Sequence, residues 1–460
     1  MIIDQNLFFS ILIGLALFYL ALGIWSARGV RTLQNYFLAD RNLGVIKLTF
    51  ALIASQLGSG MILGTAYRAY HVGFWGLLYS IGMSLGFIIL GLGLASRMRA
   101  LNVNTTAEIF ETIYGSYYLK LIASALSVVS LWGILLAQIV ASKSLFLGLK
   151  ITDPYVLISC WMFLIFYSML GGLHSIVIVD VAQVLFISGV FSFSFLSLGS
   201  AASTMTNLPR LALIQDYFYD VKPDLWSFLP ILFIPTLFAL IEQDLAQKLF
   251  AAKTRATATI SAFLAGIFLI VFSIIPIFFG ILAKIKHVII PEGGSPLVAA
   301  LFFISSKTVF MLAMCGIMAA ITSTASSLLC AISSNVVQDF GNFLPLENHK
   351  LTTTRFISFL IGISALTASF YTSGDILYIL ENSYRVSVIC LFVPTVIAYF
   401  ATSLYKQAAW TSVLFGVAGL IGVQYYPMSL IMKDVIPLAL SLGGYICAYV
   451  IVWTKKQLSL

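Results

Sequence analysis

The sequence predicts an all-α polytopic membrane protein, and two observations carry this prediction. Hydrophobic residues make up 60% of the 460 residues and charged residues only 9%, with a mean hydropathy of +1.03. Soluble domains carry about 25% charged residues, so this composition suits a lipid environment. The apolar residues are also gathered into runs of about 20, the length that a helix needs to cross a bilayer.

These runs follow one another with short loops between them, so we expect a single integral membrane domain over residues 1–460. The thirteen predicted spans cover residues 6–26, 46–70, 73–97, 119–147, 154–172, 175–199, 226–248, 257–284, 307–336, 352–372, 375–402, 408–425 and 435–453.

The loops and the first residues indicate how the chain sits in the membrane. No basic residue precedes the first apolar run, so no cleaved signal peptide is expected and the first span is retained. With the N-terminus outside and the C-terminus in the cytoplasm, most Lys and Arg residues fall in inner loops, following the positive-inside rule. This distribution explains the net charge of +8 without a nucleic-acid partner. We expect the protein in the lipid bilayer of a bacterial inner membrane.

Several classes of function are disfavoured by what the sequence lacks. The five cysteines lie in apolar segments without a C-x-x-C pair and the four histidines are scattered, so no transition-metal site is predicted. The pattern G-x-x-x-x-G-K-[ST] is absent, which argues against ATP-driven transport by this chain. We expect no enzymatic activity and no obligate protein partner.

The second span contains a run that disfavours a continuous helix, Leu52–Gly64. Three glycines in this run alternate with polar residues, which invites the helix to open at the middle of the membrane. Backbone carbonyls freed by such a break can hold a small cation, as in many transporters. The residues concerned are Ser55, Gln56, Gly58, Ser59, Gly60 and Gly64.

The seventh span carries a second candidate break, because Pro230 and Pro235 precede the polar cluster Glu242–Asp244. Two broken helices in corresponding places indicate an inverted repeat. Spans 2–6 and 7–11 would then form the two five-helix halves of one core.

The ninth span carries hydroxyls at five of the six positions from Thr322 to Ser327. On a helix, Ala320, Ser323 and Thr324 share one face, and their oxygens suit a hard monovalent cation. The carbonyls of Ala54 and Leu57 would complete the set from the opened second span. Neutral oxygens fit a site that must release its ion in every cycle. Alternatively, these hydroxyls bond to carbonyls of their own helix or join neighbouring helices.

Charged residues inside the spans are the other candidates for function. Asp180, in the sixth span, is predicted to assist cation entry or release, or alternatively to accept hydrogen bonds from a broken helix. Glu381 and Arg385 are predicted to form an ion pair four residues apart on one helix. Thr105 and Glu108 have the spacing of a capping box, which predicts a short helix in the loop after the third span.

Five segments resemble the sodium/solute symporter family, which includes sodium-coupled proline, pantothenate and sugar carriers. They are Asn35–Leu43, Thr105–Glu108, Gly171–Leu173, Asp180–Gln183 and Gln247–Lys253, and they occur in the family's order. The resemblance runs from about residue 35 to residue 340. It implies a leucine-transporter-type fold in which the broken helix and the ninth span hold a sodium ion.

The resemblance places the sodium ligands on five residues, namely Ala54, Leu57, Ala320, Ser323 and Thr324. These are the residues that the helix break and the hydroxyl stripe indicate by themselves. The substrate region departs from known carriers, because Gln56 replaces the acid of proline carriers, and Gly60 and Met61 replace polar sugar contacts. The predicted solute-binding residues are Ser55, Gln56, Ser59, Gly60, Met61 and Phe238, the last as a gating aromatic.

The predicted function is sodium-coupled import of a small organic solute by alternating access, with sodium as the coupling ion. A proton-coupled or uncoupled carrier on the same fold is one alternative, in which Asp180, Glu242 or Asp244 would carry protons. A membrane sensor that binds a solute without moving it is the other alternative.

Overall fold

The computed structural model describes residues 3–202, 225–290, 293–343, 350–372, 375–401 and 404–458. These residues form α-helices joined by short turns, and the only β contact among them is an isolated bridge between Leu43 and Ala252. Eleven helices of the described part are long and apolar enough to cross a membrane, while Val45–Gln56 and Pro154–Ser168 are shorter apolar helices. The count of thirteen spans therefore stays a prediction.

The helices in chain order are α1 Gln5–Ala27, α2 Leu33–Leu38, α3 Val45–Gln56, α4 Thr65–Val72, α5 Leu77–Ile89, α6 Ala95–Ala100, α7 Glu108–Thr112, α8 Tyr117–Gly148, α9 Pro154–Ser168, α10 Gly172–Ala202, α11 Leu225–Ala239, α12 Gln243–Phe250, α13 Arg255–Ile285, α14 Pro296–Ile304, α15 Lys307–Asp339, α16 Lys350–Ser369, α17 Ile376–Ala398, α18 Lys406–Gly422 and α19 Leu430–Leu458.

Both predicted helix breaks are present. Helix α3 ends at Gln56, the chain turns at Leu57 and Gly58, and a π-helical turn over Gly60–Gly64 leads into α4. The seventh span divides into α11 and α12, with Leu240–Glu242 between them. Such turns free backbone groups from the helical ladder at membrane depth.

The broken helices lie inside a ring of longer ones. Helix α15 packs against α8 and α10, and α13 runs along α3, α4 and α5. Helices α1 and α19 are peripheral, and their outward apolar side chains, such as Leu17 at 58% exposed, form a surface suited to lipid. The buried centre is therefore built around α3, α12 and α15.

The capping box at α7 is present with one difference. The Glu108 amide donates to Thr105 Oγ1 at 3.1 Å, as predicted, whereas the Glu108 carboxylate accepts from the Asn104 amide at 2.6 Å. The short helix after the third span is thus confirmed. The sequence also predicts an acidic outer loop near residues 200–225, and its acidic residues Asp216, Asp220 and Asp224 lie outside the described residues.

The predicted ion pair between Glu381 and Arg385 is wrong. Glu381 pairs with Arg68 of α4, and Arg385 pairs with Asp434 of α19 at 2.6 Å. The long arginine side chains reach across to neighbouring helices, where a buried carboxylate needs a cation more than an exposed one does. Spacing along one helix does not reveal these partners.

Candidate sodium and solute site

Four of the five predicted sodium ligands meet where α3 ends against α15. Thr324 Oγ1 donates to the carbonyls of Ala54 and Ser55 at 3.1 and 3.2 Å. Ser323 Oγ donates to the carbonyls of Ala54 and Ala320 at 3.3 and 2.9 Å. We call these two hydroxyls and the carbonyls of Ala54 and Ala320 the oxygen cluster. Leu57, the fifth predicted ligand, lies at the adjoining turn.

Gly58 allows α15 to approach the broken helix this closely. A Cβ atom at this position would lie 2.7 Å from Thr324 Oγ1 and 3.0 Å from Gln138 Oε1, which is nearer than such atoms pack. Gln138 Oε1 in turn accepts the Ser59 amide at 2.9 Å, so a side chain of α8 satisfies a donor of the broken segment. The break is therefore held open by a defined contact.

The oxygen cluster has the chemistry of a sodium site. Its groups are neutral and buried, and each hydroxyl can turn its hydrogen away from the carbonyls and offer a lone pair to a cation. A set of neutral oxygens attracts sodium without the tight hold of a charged cage. The cluster also fits the alternative role, because Ser323 bonds to a carbonyl of its own helix and both hydroxyls join α15 to a carbonyl of α3.

A small cavity lies beside the oxygen cluster, and we call it the core cavity. Its volume is about 20 Å³, enough for about one water molecule. It is lined by the predicted Ser55, Gln56, Gly60 and Met61, and by Gly58, Tyr79, Ile134, Gln138, Glu242, Thr324, Leu380 and Tyr384. A solute larger than water requires this cavity to widen.

The other two predicted solute residues, Ser59 and Phe238, are not among the lining residues of the core cavity. Ser59 is fully buried, and its hydroxyl has no hydrogen-bond partner among the described residues. Phe238 stacks on Tyr384 with ring centres 4.4 Å apart, and it lines a second, still smaller cavity together with Glu242. Phe238 therefore lines the second cavity rather than the core cavity, against a ring that lines the core cavity.

Glu242 is the only carboxylate in the lining of the core cavity. It is 5% exposed, and its Oε2 accepts a hydrogen bond from Gln56 Nε2 at 3.2 Å. No cation of the described residues forms an ion pair with it. Three aromatic rings line the same cavities as Glu242: Tyr79 and Tyr384 line the core cavity, and Phe238 lines the second one. The rings also contact one another, because Tyr79 and Tyr384 share a hydrogen bond of 2.9 Å and Phe238 stacks on Tyr384.

Sequence reasoning missed the roles of Tyr79, Gln138 and Tyr384. Each comes from a separate apolar span, and nothing in a single apolar run tells which of its faces meets the broken helix. Gln138 could have been noticed as a lone amide in the middle of α8, where a polar side chain is costly unless paired.

Lys248 lies next to the oxygen cluster and is fully buried. Its Nζ donates to the hydroxyls of Ser55 and Ser327 and lies 3.3 Å from Asp244 Oδ1. The Ser55 hydroxyl is thus engaged by Lys248, although Ser55 is predicted to bind solute. Sequence reasoning treated the Glu242–Asp244 cluster as polar and did not identify this ion pair.

Asp180 is fully buried on α10, and neither carboxylate oxygen has a hydrogen-bond partner among the described residues. It interacts electrostatically with Lys248 and Asp244. The alternative role for Asp180, accepting hydrogen bonds from a broken helix, therefore gains no support. A buried carboxylate without partners is costly and favours a nearby cation.

The core cavity is closed towards both ends of the helices. A vestibule of about 720 Å³, lined by residues such as Tyr67, Tyr70 and Asp375, lies at one end. Gly64, packed tightly against Leu377, separates it from the core cavity.

At the other end, the loop before α7 binds α12 and α15. Gln243 Oε1 accepts hydrogen bonds from the amide and the hydroxyl of Thr106 at 2.7 and 3.0 Å. Thr105 donates to Asp339 at 2.8 Å. Contacts at two ends around a small central cavity are the arrangement that alternating access requires.

A model of the sodium:solute symporter family matches residues 36–420. The chain belongs to this family. The predicted resemblance to the sodium/solute symporters is thereby confirmed.

Two similar relatives are high-affinity choline transporters. The chain is 25% identical over 284 residues to high-affinity choline transporter 1 of Drosophila melanogaster, covering 59% of this chain and 45% of that protein. It is 28% identical over 189 residues to the protein of the same name from Caenorhabditis elegans, covering 37% of this chain and 32% of that protein. The matches thus span less than half the length of these relatives.

Solved structures of two transporters share the fold. A Na+-coupled sialic acid symporter in a substrate-bound, outward-open state has a TM-score of 0.76 at 17% identity, covering 96% of this chain and 97% of the other. A transporter of the nucleobase-cation-symport-1 family in a closed conformation has a TM-score of 0.61 at 14% identity, covering 93% and 96%. The predicted leucine-transporter-type fold is thereby confirmed.

Proposed function

We propose that this chain is a secondary active symporter that imports a small organic solute together with sodium. The observation that carries the proposal is the convergence of the Ser323 and Thr324 hydroxyls on the Ala54 carbonyl, at 3.3 and 3.1 Å. Sodium at this cluster, with Ala320 and Leu57 as further ligands, joins the broken helix to α15. The chain performs no covalent chemistry in this cycle.

Sodium acts by favouring one conformation. An ion shifts a conformational equilibrium only to the extent that it binds one state more tightly. Joining α3 to α15 favours the state in which both helices face the vestibule, and the core cavity beside them then widens for the solute. Closure of the vestibule and release of the contacts of Thr105 and Thr106 opens the opposite end. Asp180 serves sodium on its way out of the cluster.

The test is sodium-dependent uptake in proteoliposomes, with a pooled library of labelled small metabolites. A Ser323→Ala/Thr324→Ala variant is measured beside the wild type. Thr322→Ala is the matched control, because Thr322 lies on the same helix but lines a different cavity. We expect accumulation driven by a sodium gradient, lost in the double variant and kept in Thr322→Ala. Uptake that ignores sodium but follows pH would instead support the proton-coupled carrier.

Binding without uptake would support the sensor.

We also propose that the chain forms a single membrane domain of a bacterial inner membrane, with the N-terminus and the vestibule on the outer side. Uptake into right-side-out vesicles, blocked by an impermeant reagent at the vestibule, tests this orientation.

We propose that the solute is a small organic cation of the choline type. Glu242 offers the core cavity a carboxylate that forms no ion pair among the described residues, and the rings of Tyr79, Tyr384 and Phe238 line the cavities that it lines. Aromatic faces attract organic cations, with about 2 kcal/mol where both are shielded from water. The choline transporters among the relatives of this chain agree with a cationic solute.

Competition against labelled choline tests whether the site requires a positively charged solute. The neutral isostere 3,3-dimethylbutan-1-ol has the same shape as choline, so it is expected to compete poorly, whereas small quaternary ammonium ions compete well. Glu242→Gln is expected to weaken choline binding about 10- to 100-fold, the effect of removing about 1.5–3 kcal/mol of charge-assisted contact. Equal competition by the isostere, or by amino acids and carboxylates, would remove the cation from the proposal and leave sodium coupling intact.

A further inference from the structure

Lys248 places an ammonium group beside the oxygen cluster. Its side chain is 0% exposed, and its Nζ lies 2.8 Å from Ser327 Oγ and also donates to Ser55 Oγ. Ser55 directly follows the sodium ligand Ala54, and Ser327 lies about one turn beyond Thr324. The ammonium thus touches both helices that form the oxygen cluster, one turn away from it.

Three buried carboxylates interact with this ammonium. Asp244 lies within ion-pair distance of Lys248, while Asp180 and Glu242 interact with Lys248 and Asp244 electrostatically. All three are at most 5% exposed. A buried ion without a counter-charge costs several kcal/mol, so one ammonium satisfies one carboxylate and leaves two that require cations.

We propose that Lys248 is a tethered cation that takes the place of a second sodium ion, so that the protein binds one sodium per solute. The inference rests on the proposed function, in which sodium and an organic cation supply the two remaining charges. With sodium at the oxygen cluster and the solute at Glu242, positive and negative charges in this region are equal in number. Since the ammonium is attached to α12, it balances charge without adding to the ions transported.

The number of sodium ions bound to the purified protein tests this inference, measured with radioactive sodium alone and no solute. We expect one sodium per wild-type chain, because Glu242 is left for the solute and keeps its hydrogen bond from Gln56 while the solute is absent. Lys248→Met leaves Asp180 and Asp244 without their ammonium, so we expect a second sodium to bind. Lys120→Met is the matched control, because Lys120 is another buried lysine of a membrane helix but pairs with the half-exposed Glu111. This control is expected to bind one sodium.

Removing both partners of the ion pair keeps the test decisive if Lys248→Met does not fold. Lys248→Met/Asp244→Asn removes one charge of each sign and is expected to bind one sodium, like the wild type. Two sodium ions on the wild type or the double variant, or one on folded Lys248→Met, would overturn the tethered cation while the sodium site stands. A wild type that binds no sodium would overturn the proposed sodium site and this inference together.

Discussion

Arg68 pairs with Glu381 and thereby joins α4, which follows the first helix break, to α17. The same turns of α17 carry Ile376, which lines the vestibule, and Leu380, which lines the core cavity. The ion pair thus lies at the level where the two spaces are kept apart. Both side chains are less than one-fifth exposed, so the pair is only partly screened by solvent.

Breaking this pair is expected to favour the state that is open to the vestibule. Glu381→Gln removes the charge but keeps the shape, and a shift of about 1–3 kcal/mol corresponds to roughly 5- to 150-fold in the equilibrium. The readout is the rate at which an impermeant maleimide labels Val140→Cys, a vestibule position, in a background without the native cysteines. An unchanged rate would show that the pair does not hold the vestibule closed.

Arg385 and Asp434 are expected to stabilise the fold rather than the transport cycle. Their pair joins α17 to the peripheral helix α19, away from the lining of the core cavity. Asp434→Leu leaves the largely buried guanidinium of Arg385 without its ion-pair partner, although the hydrogen bond to Asn382 remains, and we expect a loss of up to about 3 kcal/mol in the free energy of unfolding. Arg385→Met/Asp434→Leu removes both charges and is expected to recover most of this stability. Thermal unfolding in detergent compares the two variants. A double variant no more stable than the single one would contradict this assignment.

Gly58 is expected to tolerate no side chain in the sodium-bound state. The added Cβ of Gly58→Ala would meet Thr324 Oγ1 at 2.7 Å, so α15 must move away and the oxygen cluster must widen. We expect sodium binding to fall at least tenfold while the helices still form. Gly189→Ala is the control, because no atom lies within 4 Å of the Cβ that it adds to α10. Isothermal titration with sodium measures both variants. Equal sodium affinities of Gly58→Ala and Gly189→Ala would show that Gly58 has no role in sodium binding.

The sequence predicted those parts of the site that depend on local rules. The break at Gly58 follows from glycines within one run, and the face shared by Ala320, Ser323 and Thr324 follows from helix geometry. The surroundings of Glu242 follow from neither, because Tyr79 and Tyr384 reach it from separate spans.

The ion pairs likewise include one that sequence spacing would predict and others that depend on neighbouring helices. Glu381 and Arg385 have the spacing of an intrahelical pair, yet each has a partner on another helix. By contrast, Lys248 and Asp244 do form a pair four residues apart on α12, where burial removes competition from water. Burial and the neighbouring helices therefore decide which of two equally spaced pairs forms, and neither can be read from spacing.

Gln243 is expected to hold the end of the molecule opposite the vestibule closed. Its Oε1 accepts both the amide and the hydroxyl of Thr106, so Gln243→Leu leaves two donors unpaired at a cost of about 1–3 kcal/mol each when they stay buried. That cost falls only on the closed state, because water satisfies both donors once this end opens. The variant should therefore open at this end, opposite to the effect of Glu381→Gln.

The readout is maleimide labelling of Leu391→Cys, which lines the small cavity beside Gln243. We expect several-fold faster labelling of Leu391→Cys from the Thr106 face of the membrane. Labelling of Val140→Cys at the vestibule should become slower, because both open states are in equilibrium with the same closed state and a larger population of one reduces the other. Gln338→Leu is the control, since Gln338 binds Ser334 of its own helix and leaves Thr106 untouched. Faster labelling at both positions would mean that the variant loosens the whole fold, and unchanged labelling would exclude Gln243 as a closing contact.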